Sequence, residues 1–216
     1  SARFPRLFEP GRIGNLQVKN RIAMAPMGTQ MYADGFVTDR LKDYYEARAR
    51  GGAGLITIDH LKISHPVGAG KKGTARIDDD KFIPGLGELL QVVHRHGAKM
   101  VAQLGHMGPA DIASGTNQPL AASPVTRQPD YTHPSSSVVD YSLPREMTVD
   151  EIAATTVRFA EAAVRAKRAG FDAVQVHAAN RYLLASFVSP FWNRRTDRYG
   201  GELKNRARFV LEVVRA

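Results

Sequence analysis

The feature that most constrains this chain is a regular alternation of short apolar runs with longer amphipathic stretches. Each run has the length of a strand and is apolar enough to be buried on both faces of a sheet. Repeated strand-helix units predict parallel strands joined by crossovers, in either an open doubly wound sheet or a barrel. The predicted strands lie at residues 21–27, 53–59, 98–104 and 171–177, and the predicted helices at 38–52, 82–97, 148–170 and 202–216.

Capping residues mark the ends of these helices. Thr38 is the predicted N-cap of the first helix, and Thr148 with Glu151 forms a capping box at the start of the third. Gly170 is the predicted stop of that third helix.

Two connections, 105–147 and 178–201, are much longer than most loops of compact domains. Both follow the carboxyl end of a predicted strand, where α/β folds place their chemistry, so we expect active-site lids. A loop without a role is the alternative for the part of the first connection that is rich in Ser, Pro and Thr.

Composition narrows the class of protein. The 216 residues, 43% of them hydrophobic, predict one large domain over 1–216. No apolar run approaches the ~20 residues of a membrane helix and the start lacks a signal-peptide pattern, so we expect a soluble cytoplasmic protein without a membrane partner. The absence of cysteine excludes disulfides, thiolate metal sites and cysteine nucleophiles.

The formal net charge of +9 raises the possibility of a nucleic-acid partner. The basic residues are scattered, however, and are expected on solvated helix faces, which favours a protein that does not bind nucleic acid. Residues representative of this scatter are Arg48, Lys62, Lys71, Arg95, Arg127, Arg165 and Arg194.

Polar and turn-forming residues follow the predicted strands. After the first strand, residues 25–28 (Ala25, Pro26, Met27, Gly28) would fix a turn and let a flat ligand approach the backbone. Gln103 lies within an apolar run, where its amide needs hydrogen-bond partners, either a ligand or a neighbouring loop. His106 is expected to be a structural loop histidine.

His177, Asn180 and Tyr182 lie together at the end of the fourth strand. Paired donors suit a developing negative charge on oxygen, and a phenol can act as a general acid. The alternative for His177 is an ordinary packing role. A metal site is not expected, because no carboxylate or second histidine lies nearby at ligand spacing.

Five segments resemble the old yellow enzyme family of flavin-dependent ene-reductases, which includes the 2-enoate and dienoyl-CoA reductases. The resemblance runs from about Phe4 to Val214 and covers the amino-terminal half of that family. The segments are LFEPGRIGNLQVKNRIAMAPMG, GGAGLITI, VAQLGHMG, HAANRYLLASFVSPFWNRRTDRYGG and NRARFVLEVV.

This resemblance implies a TIM (β/α)8 barrel of which about the first four βα units are present, with FMN at the carboxyl ends of the strands. Residues 25–28 would lie along the flavin, residue 60 would approach it through its backbone, and Gln103 would hydrogen-bond its pyrimidine ring. His177 and Asn180 would grip the activating oxygen of a small-molecule substrate. Tyr182 would donate the proton. NAD(P)H would be the reductant of the flavin.

The sequence also departs from the family. His60 stands where a small residue is usual, Pro109 replaces an arginine, and Gly28 replaces a Thr or Cys beside the flavin. The family's phosphate cradle is expected beyond Ala216, so we expect either a missing carboxyl-terminal half or self-association. A 4Fe-4S cluster and FAD are expected only in a longer parent protein.

Two other functions stay open at this point. A flavin enzyme acting on tRNA uridine shares the APM strand and suits the positive charge, but it uses a cysteine acid that this chain lacks. The other is a non-catalytic, self-associating half-barrel without stable flavin binding.

Overall fold

The computed structural model describes residues 4–69, 73–111, 118–125 and 143–216. Its strands are β1 (Gly11–Ile13), β2 (Leu16–Val18), β3 (Ala23–Met24), β4 (Tyr32–Ala33), β5 (Phe36–Val37), β6 (Leu55–Thr57), β7 (Leu61–Lys62), β8 (Lys99–Gly105), β9 (Leu120–Ala121), β10 (Arg145–Glu146) and β11 (Ala173–Val176). Its α-helices are α1 (Pro5–Phe8), α2 (Asp39–Arg50), α3 (Ile83–His94), α4 (Val149–Ala169), α5 (Leu183–Val188), α6 (Leu203–Arg206) and α7 (Arg208–Arg215). Short 3₁₀ turns lie at Asp80–Phe82 and Gly108–Ala110.

The chain divides into two compact units. The first unit consists of residues 1–63, 72–104 and 161–176, and the second of residues 64–71, 105–160 and 177–216.

The first unit contains a parallel sheet in which β3, β6, β8 and β11 are neighbours in chain order. The four predicted parallel strands are therefore confirmed. Burial on both faces holds for β8 but is wrong for β3 and β11, where Ala23, Val174 and Gln175 are exposed. These two strands are exposed because they lie at the two ends of the strand order. Among the described residues, each has a strand neighbour on one side only.

Helices α2 and α3 lie side by side in this unit. Thr38 caps α2 as predicted, with its hydroxyl accepting the Leu41 N–H at 3.3 Å. An ion pair joins Lys42 of α2 to Glu88 of α3 at 3.0 Å. The buried faces carry large apolar residues, which places the core between these helices and the sheet. The fully buried members are Leu41, Tyr45, Leu86, Leu89, Leu90, Ile56 and Met100.

Asp172 ties the start of β11 to β8 and α3. Its carboxylate accepts hydrogen bonds of 2.8 Å from Lys99 Nζ and from the Met100 N–H, and His94 Nε2 lies 2.8 Å away. Burial pushes the pKa of Asp172 up, but these hydrogen bonds outweigh it and the net pKa is lowered.

In the second unit, α4 begins at the predicted capping box. Thr148 N–H donates to Glu151 at 2.8 Å, and Glu151 N–H donates to Thr148 Oγ1 at 3.2 Å. The predicted fourth helix is wrong in its continuity, because it is interrupted at Ala207 between α6 and α7. Both predicted lids contain regular structure, β9 paired in parallel with β10 in one and α5 in the other. Residues 112–117 and 126–142 of the first lid, and with them Arg127, lie outside the described residues, as does Lys71.

Two hairpins were not predicted from the sequence. β1 pairs antiparallel with β2, and β4 pairs antiparallel with β5. The second turn, Asp34-Gly35, has positive φ at both residues (48° and 90°), as a two-residue hairpin turn requires. Among the described residues, no helix has the length and apolar character needed to cross a membrane.

Candidate active site

The segment 25–28 follows β3 directly and is open to solvent over most of its length. Met27 is 59% exposed, and its sulfur accepts a hydrogen bond from the Tyr44 phenol at 3.7 Å. A Cβ added at Gly28 would come no closer than 3.9 Å to the nearest side-chain atom, Asp59 Oδ1. An open, largely apolar strand end of this kind is available to a flat aromatic ligand.

His60 lies just beyond the end of β6 and is buried. Lys62 Nζ lies 2.8 Å from His60 Nδ1, and because an ammonium can only donate, Nδ1 is the acceptor. The His60 N–H donates to Asp59 Oδ1 at 2.8 Å. The imidazole is thus turned towards Lys62, while the predicted backbone approach of residue 60 to a ligand stays a prediction.

Lys62 corrects one expectation of the sequence analysis. It is 4% exposed rather than on a solvated helix face, and it lies on β7. A buried ammonium needs hydrogen-bond partners, and the His60 ring and the His60 carbonyl, at 3.4 Å, serve as two of them. Burial raises the pKa of the neighbouring Asp59, against the opposing pull of the Lys62 charge.

Two tyrosines missed by the sequence analysis lie beside Asp59. The Tyr45 phenol oxygen accepts the Asp59 N–H at 3.0 Å, and burial raises the pKa of both Tyr45 and Tyr32. Asp59 and Lys62 flank His60 at the end of an apolar strand, so the run of polar residues there was the signal for this cluster.

Gln103 lies on β8 in direct register with Gln175 of β11. Its side-chain amide donates to Gln175 Oε1 at 2.8 Å and is 9% exposed. The partner is thus a residue of the adjacent strand rather than a neighbouring loop. One amide proton and the carbonyl oxygen of Gln103 have further hydrogen-bonding capacity.

His177 follows the last residue of β11 and is buried. Its Nδ1 accepts the Ala179 N–H at 3.3 Å, which places the ring proton of the neutral form on Nε2. The Tyr182 ring packs against it, with 4.7 Å between ring centroids. The structure therefore brings His177 and Tyr182 together, as the sequence predicts.

Asn180 and Arg181 form a tight turn between these two rings. Both have left-handed backbone conformations, with φ of 54° and 60°, and the Tyr182 N–H donates to the Ala179 carbonyl at 3.1 Å to close the turn. A cavity of about 280 Å³ opens beside the turn. Its polar lining residues are Asn180, Arg181 and Tyr182, and its apolar ones include Met107, Pro109 and Trp192.

His106 is hydrogen-bonded to Leu183, the residue that follows Tyr182 at the end of this turn. Its carbonyl accepts the Leu183 N–H at 3.1 Å, and its Nδ1 accepts the Gly108 N–H at 2.9 Å. A Cβ at Gly108 would collide with the Leu183 backbone, and one at Gly68 would collide with the His106 ring. The carbonyl and the ring of His106 thus both bond backbone N–H groups, and a purely structural role for His106 stays a prediction.

Arg195 and Asn193 hold the 178–201 connection in place through hydrogen bonds. The Arg195 guanidinium is buried and donates to the carbonyls of Ala122 (3.2 Å) and Met147 (2.6 Å), and it pairs with Asp197. The side chain of Asn193 donates to two carbonyls of the same connection, those of Phe187 and Tyr199. These bonds fix the dense Arg, Asn and Asp segment as a structural element.

Comparison with known proteins decides the family. The family model described as the NADH:flavin oxidoreductase / NADH oxidase family matches residues 6–216. The chain belongs to this family. The resemblance to the old yellow enzymes is thereby confirmed.

Individual relatives within the NADH:flavin oxidoreductase family agree with this assignment. The chain is 45% identical to an NADH oxidase of Thermoanaerobacter brockii over 215 residues, covering 98% of this chain and 32% of that protein. Morphinone reductase in complex with tetrahydroNAD matches with a TM-score of 0.86 and 36% identity, covering 98% of this chain and 60% of that one. The old yellow enzyme homologue from Zymomonas mobilis matches with a TM-score of 0.87 and 34% identity, covering 98% and 59%. The chain thus spans between about a third and three fifths of these relatives.

Membership of this family implies a flavin and a nicotinamide reductant, and the residues of the first unit fit the flavin. The pyrimidine edge of a flavin offers both a donor and acceptors, and the Gln103 amide has an oxygen and a proton to match them. The exposed segment 25–28 supplies an apolar surface for the ring system. Among the described residues, no group of three or more His, Cys, Asp or Glu side chains is placed to hold a metal ion.

Proposed function

We propose that this chain carries substrate-binding and flavin-binding residues of an FMN-dependent oxidoreductase that uses NADH or NADPH to reduce activated C=C bonds, as in enones or enoates. The family match over residues 6–216 is the observation that carries the proposal, because every candidate site residue lies within it. The tetrahydroNAD in the morphinone reductase complex supports a nicotinamide as the reductant.

In this proposal, segment 25–28, the backbone of residue 60 and the Gln103 side chain hold the flavin ring. FMN, when bound, supplies the two-electron chemistry that links the nicotinamide to the alkene. The Gln103–Gln175 hydrogen bond of 2.8 Å holds the Gln103 amide in one orientation before any ligand binds. Such preorganisation reduces the ordering cost of binding.

His177 and Asn180 donate to the activating oxygen of the substrate. The Nε2–H form of His177, set by the Ala179 N–H, is the tautomer that this role requires. Negative charge grows on the activating oxygen as the alkene is reduced, so donors aimed at it lower the barrier. Loss of one such donor costs about 3 kcal/mol of barrier.

Tyr182 donates a proton to the α-carbon. Its ring is held against His177 at 4.7 Å between centroids, which restricts the phenol to one side of the turn. A fixed acid of this kind contributes through its position as well as its acidity.

For the fold, we propose that four strands of the five-stranded sheet of the first unit, the path without β7, correspond to the first four strands of a TIM barrel. Their parallel order β3, β6, β8, β11 and the match to barrel-forming old yellow enzymes support this.

The test of the catalytic proposal is Tyr182→Phe in the FMN-reconstituted protein. We expect reoxidation by 2-cyclohexen-1-one to slow by about 100-fold, the typical contribution of a general acid. Reduction of the flavin by NADPH should be unchanged, because no proton from Tyr182 is needed there. Stopped-flow absorbance of the flavin measures both half-reactions.

Tyr199→Phe is the matched control for this experiment. It removes a phenol that donates to Glu212 at 3.0 Å, and both half-reactions should keep the parent rates. Equal reoxidation rates in Tyr182→Phe and the parent protein would remove Tyr182 from the acid role.

A further inference from the structure

Arg181 occupies a backbone conformation that suits its residue type poorly. Its φ of 60° follows a φ of 54° at Asn180, so two consecutive residues with side chains are left-handed. Asparagine tolerates this region through local hydrogen bonding, but arginine has no such compensation. Left-handed arginine persists only where the surrounding structure enforces it, and such outliers cluster at ligand sites.

The turn that enforces it is well anchored. The Ala179 N–H donates to His177 Nδ1 at 3.3 Å, and the Tyr182 N–H donates to the Ala179 carbonyl at 3.1 Å. The next residue, Leu183, donates its N–H to the His106 carbonyl at 3.1 Å. The backbone on both sides of Arg181 is therefore held in place by hydrogen bonds.

Arg181 is exposed to solvent and lines the 280 Å³ cavity, and it makes no hydrogen bond, ion pair or ring contact with any residue that the structure describes. The Arg195 guanidinium, by contrast, donates hydrogen bonds to two carbonyls and pairs with a carboxylate. An arginine has five N–H donors in a planar fork, and that fork matches a carboxylate in a bidentate arrangement. Among the lining residues that the structure describes, Arg181 alone is charged at neutral pH.

The rest of the cavity suits a short hydrocarbon chain. Trp192, Met107 and Pro109 contribute apolar surface, and Tyr182 contributes its ring and its phenol. The volume of about 280 Å³ lies near the lower end for small-molecule sites. An anion with a few carbons fits these properties better than a large neutral ligand.

We propose that this cavity binds the carboxylate of a small unsaturated acid through Arg181, so that Arg181 selects acids over neutral compounds of the same shape. This inference deepens the proposed function by naming its substrate class, and it rests on that function for its catalytic meaning. The binding step itself depends only on residues of the second unit.

Trp192 makes the binding step directly measurable. It is the single tryptophan of the chain and it lines the cavity, so its fluorescence reports on this site. The chain is titrated with trans-2-hexenoate and with the neutral trans-2-hexenamide at low ionic strength. We expect a saturable change with the acid and binding about tenfold weaker with the amide, since a charge-assisted bidentate contact is lost.

Variants separate a specific contact from a general effect of positive charge. Arg181→Gln should bind acid and amide equally, and Arg181→Lys should restore part of the preference. Arg194→Gln removes a nearby exposed charge that does not line the cavity, and it should keep the full preference. Arg181→Gly should lose the preference while raising the melting temperature, because glycine accepts the left-handed conformation.

Two results would overturn the inference: equal binding of acid and amide by the parent chain, or a preference for the acid that survives in Arg181→Gln. The proposed function fails separately. An enzyme that reduces both compounds with equal kcat/KM keeps the proposed function and loses this inference, whereas acid binding through Arg181 without alkene reduction does the reverse.

Discussion

At the scale of single residues, Arg195 shows how one buried side chain holds a long connection in place. Its guanidinium bonds the carbonyls of Ala122 and Met147 and the carboxylate of Asp197. The hydrogen bond from Arg195 lowers the pKa of Asp197, because it stabilises the charged carboxylate in the folded protein. Removing the guanidinium would leave two buried carbonyls without their donor.

Arg195→Met should therefore destabilise the chain by about 2–3 kcal/mol, the cost of unsatisfied buried acceptors and a broken ion pair. Urea unfolding followed by circular dichroism measures this free energy. Arg194→Met, at an exposed neighbour, should stay within about 0.5 kcal/mol of the parent. Comparable losses in both variants would show that the Arg195 contacts contribute little.

The sequence predicts residue positions better than residue contacts. His177 and Tyr182 lie close in the chain at a strand end, so their proximity followed from local sequence. The Gln103–Gln175 bond and the burial of Lys62 did not, because both depend on pairing between segments distant in sequence. The orientation of the His60 ring likewise depends on Lys62 of β7, a contact that hydrophobic periodicity does not identify.

At the scale of elements, the helices with clear caps were predicted closely. α2 begins after Thr38 and α4 begins after Thr148, since both caps are local interactions. The β4–β5 hairpin was missed although its Asp34-Gly35 turn is a strong hairpin signal, because the strands are only two residues long. The break between α6 and α7 has no glycine or proline to announce it.

The start of α4 gives a pH-dependent prediction. Hydrogen bonding from Arg145 lowers the pKa of Glu151 to about 2. A carboxyl whose pKa is depressed on folding stabilises the fold above its unfolded pKa, and this stabilisation is lost as the pH falls towards about 2. The loss should lie between the ordinary glutamate pKa of about 4.3 and that value.

Glu151→Gln should accordingly lower the melting temperature at pH 7 and lose most of that difference at about pH 2. Thermal unfolding of both proteins across this range measures the effect. Asp150→Asn, a neighbour in the first turn without these contacts, serves as the control. A difference between Glu151→Gln and the parent that is constant with pH would contradict the coupling.

At the scale of the whole molecule, the two edge strands of the sheet bear on whether the chain self-associates. β3 and β11 each have one strand neighbour among the described residues, and Val174 of β11 is 46% exposed. Open edges with apolar residues favour pairing with another chain. The sheet runs in the order β3, β6, β8 and β11, and β7 pairs with β8 off this path.

We therefore expect self-association of the isolated chain, detected as a mass above that of one chain in size-exclusion chromatography with light scattering. Val174→Lys should shift the mass towards a single chain, because charges on an edge strand oppose pairing. A single-chain mass for the parent at all concentrations would exclude this association.

The proposed function requires FMN to bind at the ends of β3, β6 and β8, and a titration of FMN fluorescence with the chain tests this binding most directly. The parent should quench the fluorescence saturably, and Gln103→Leu should bind about tenfold more weakly for the loss of its amide hydrogen bonds. Gln91→Leu, at an exposed position on α3, should bind as the parent does. The absence of saturable quenching, or equal affinities for parent and Gln103→Leu, would contradict the proposed site.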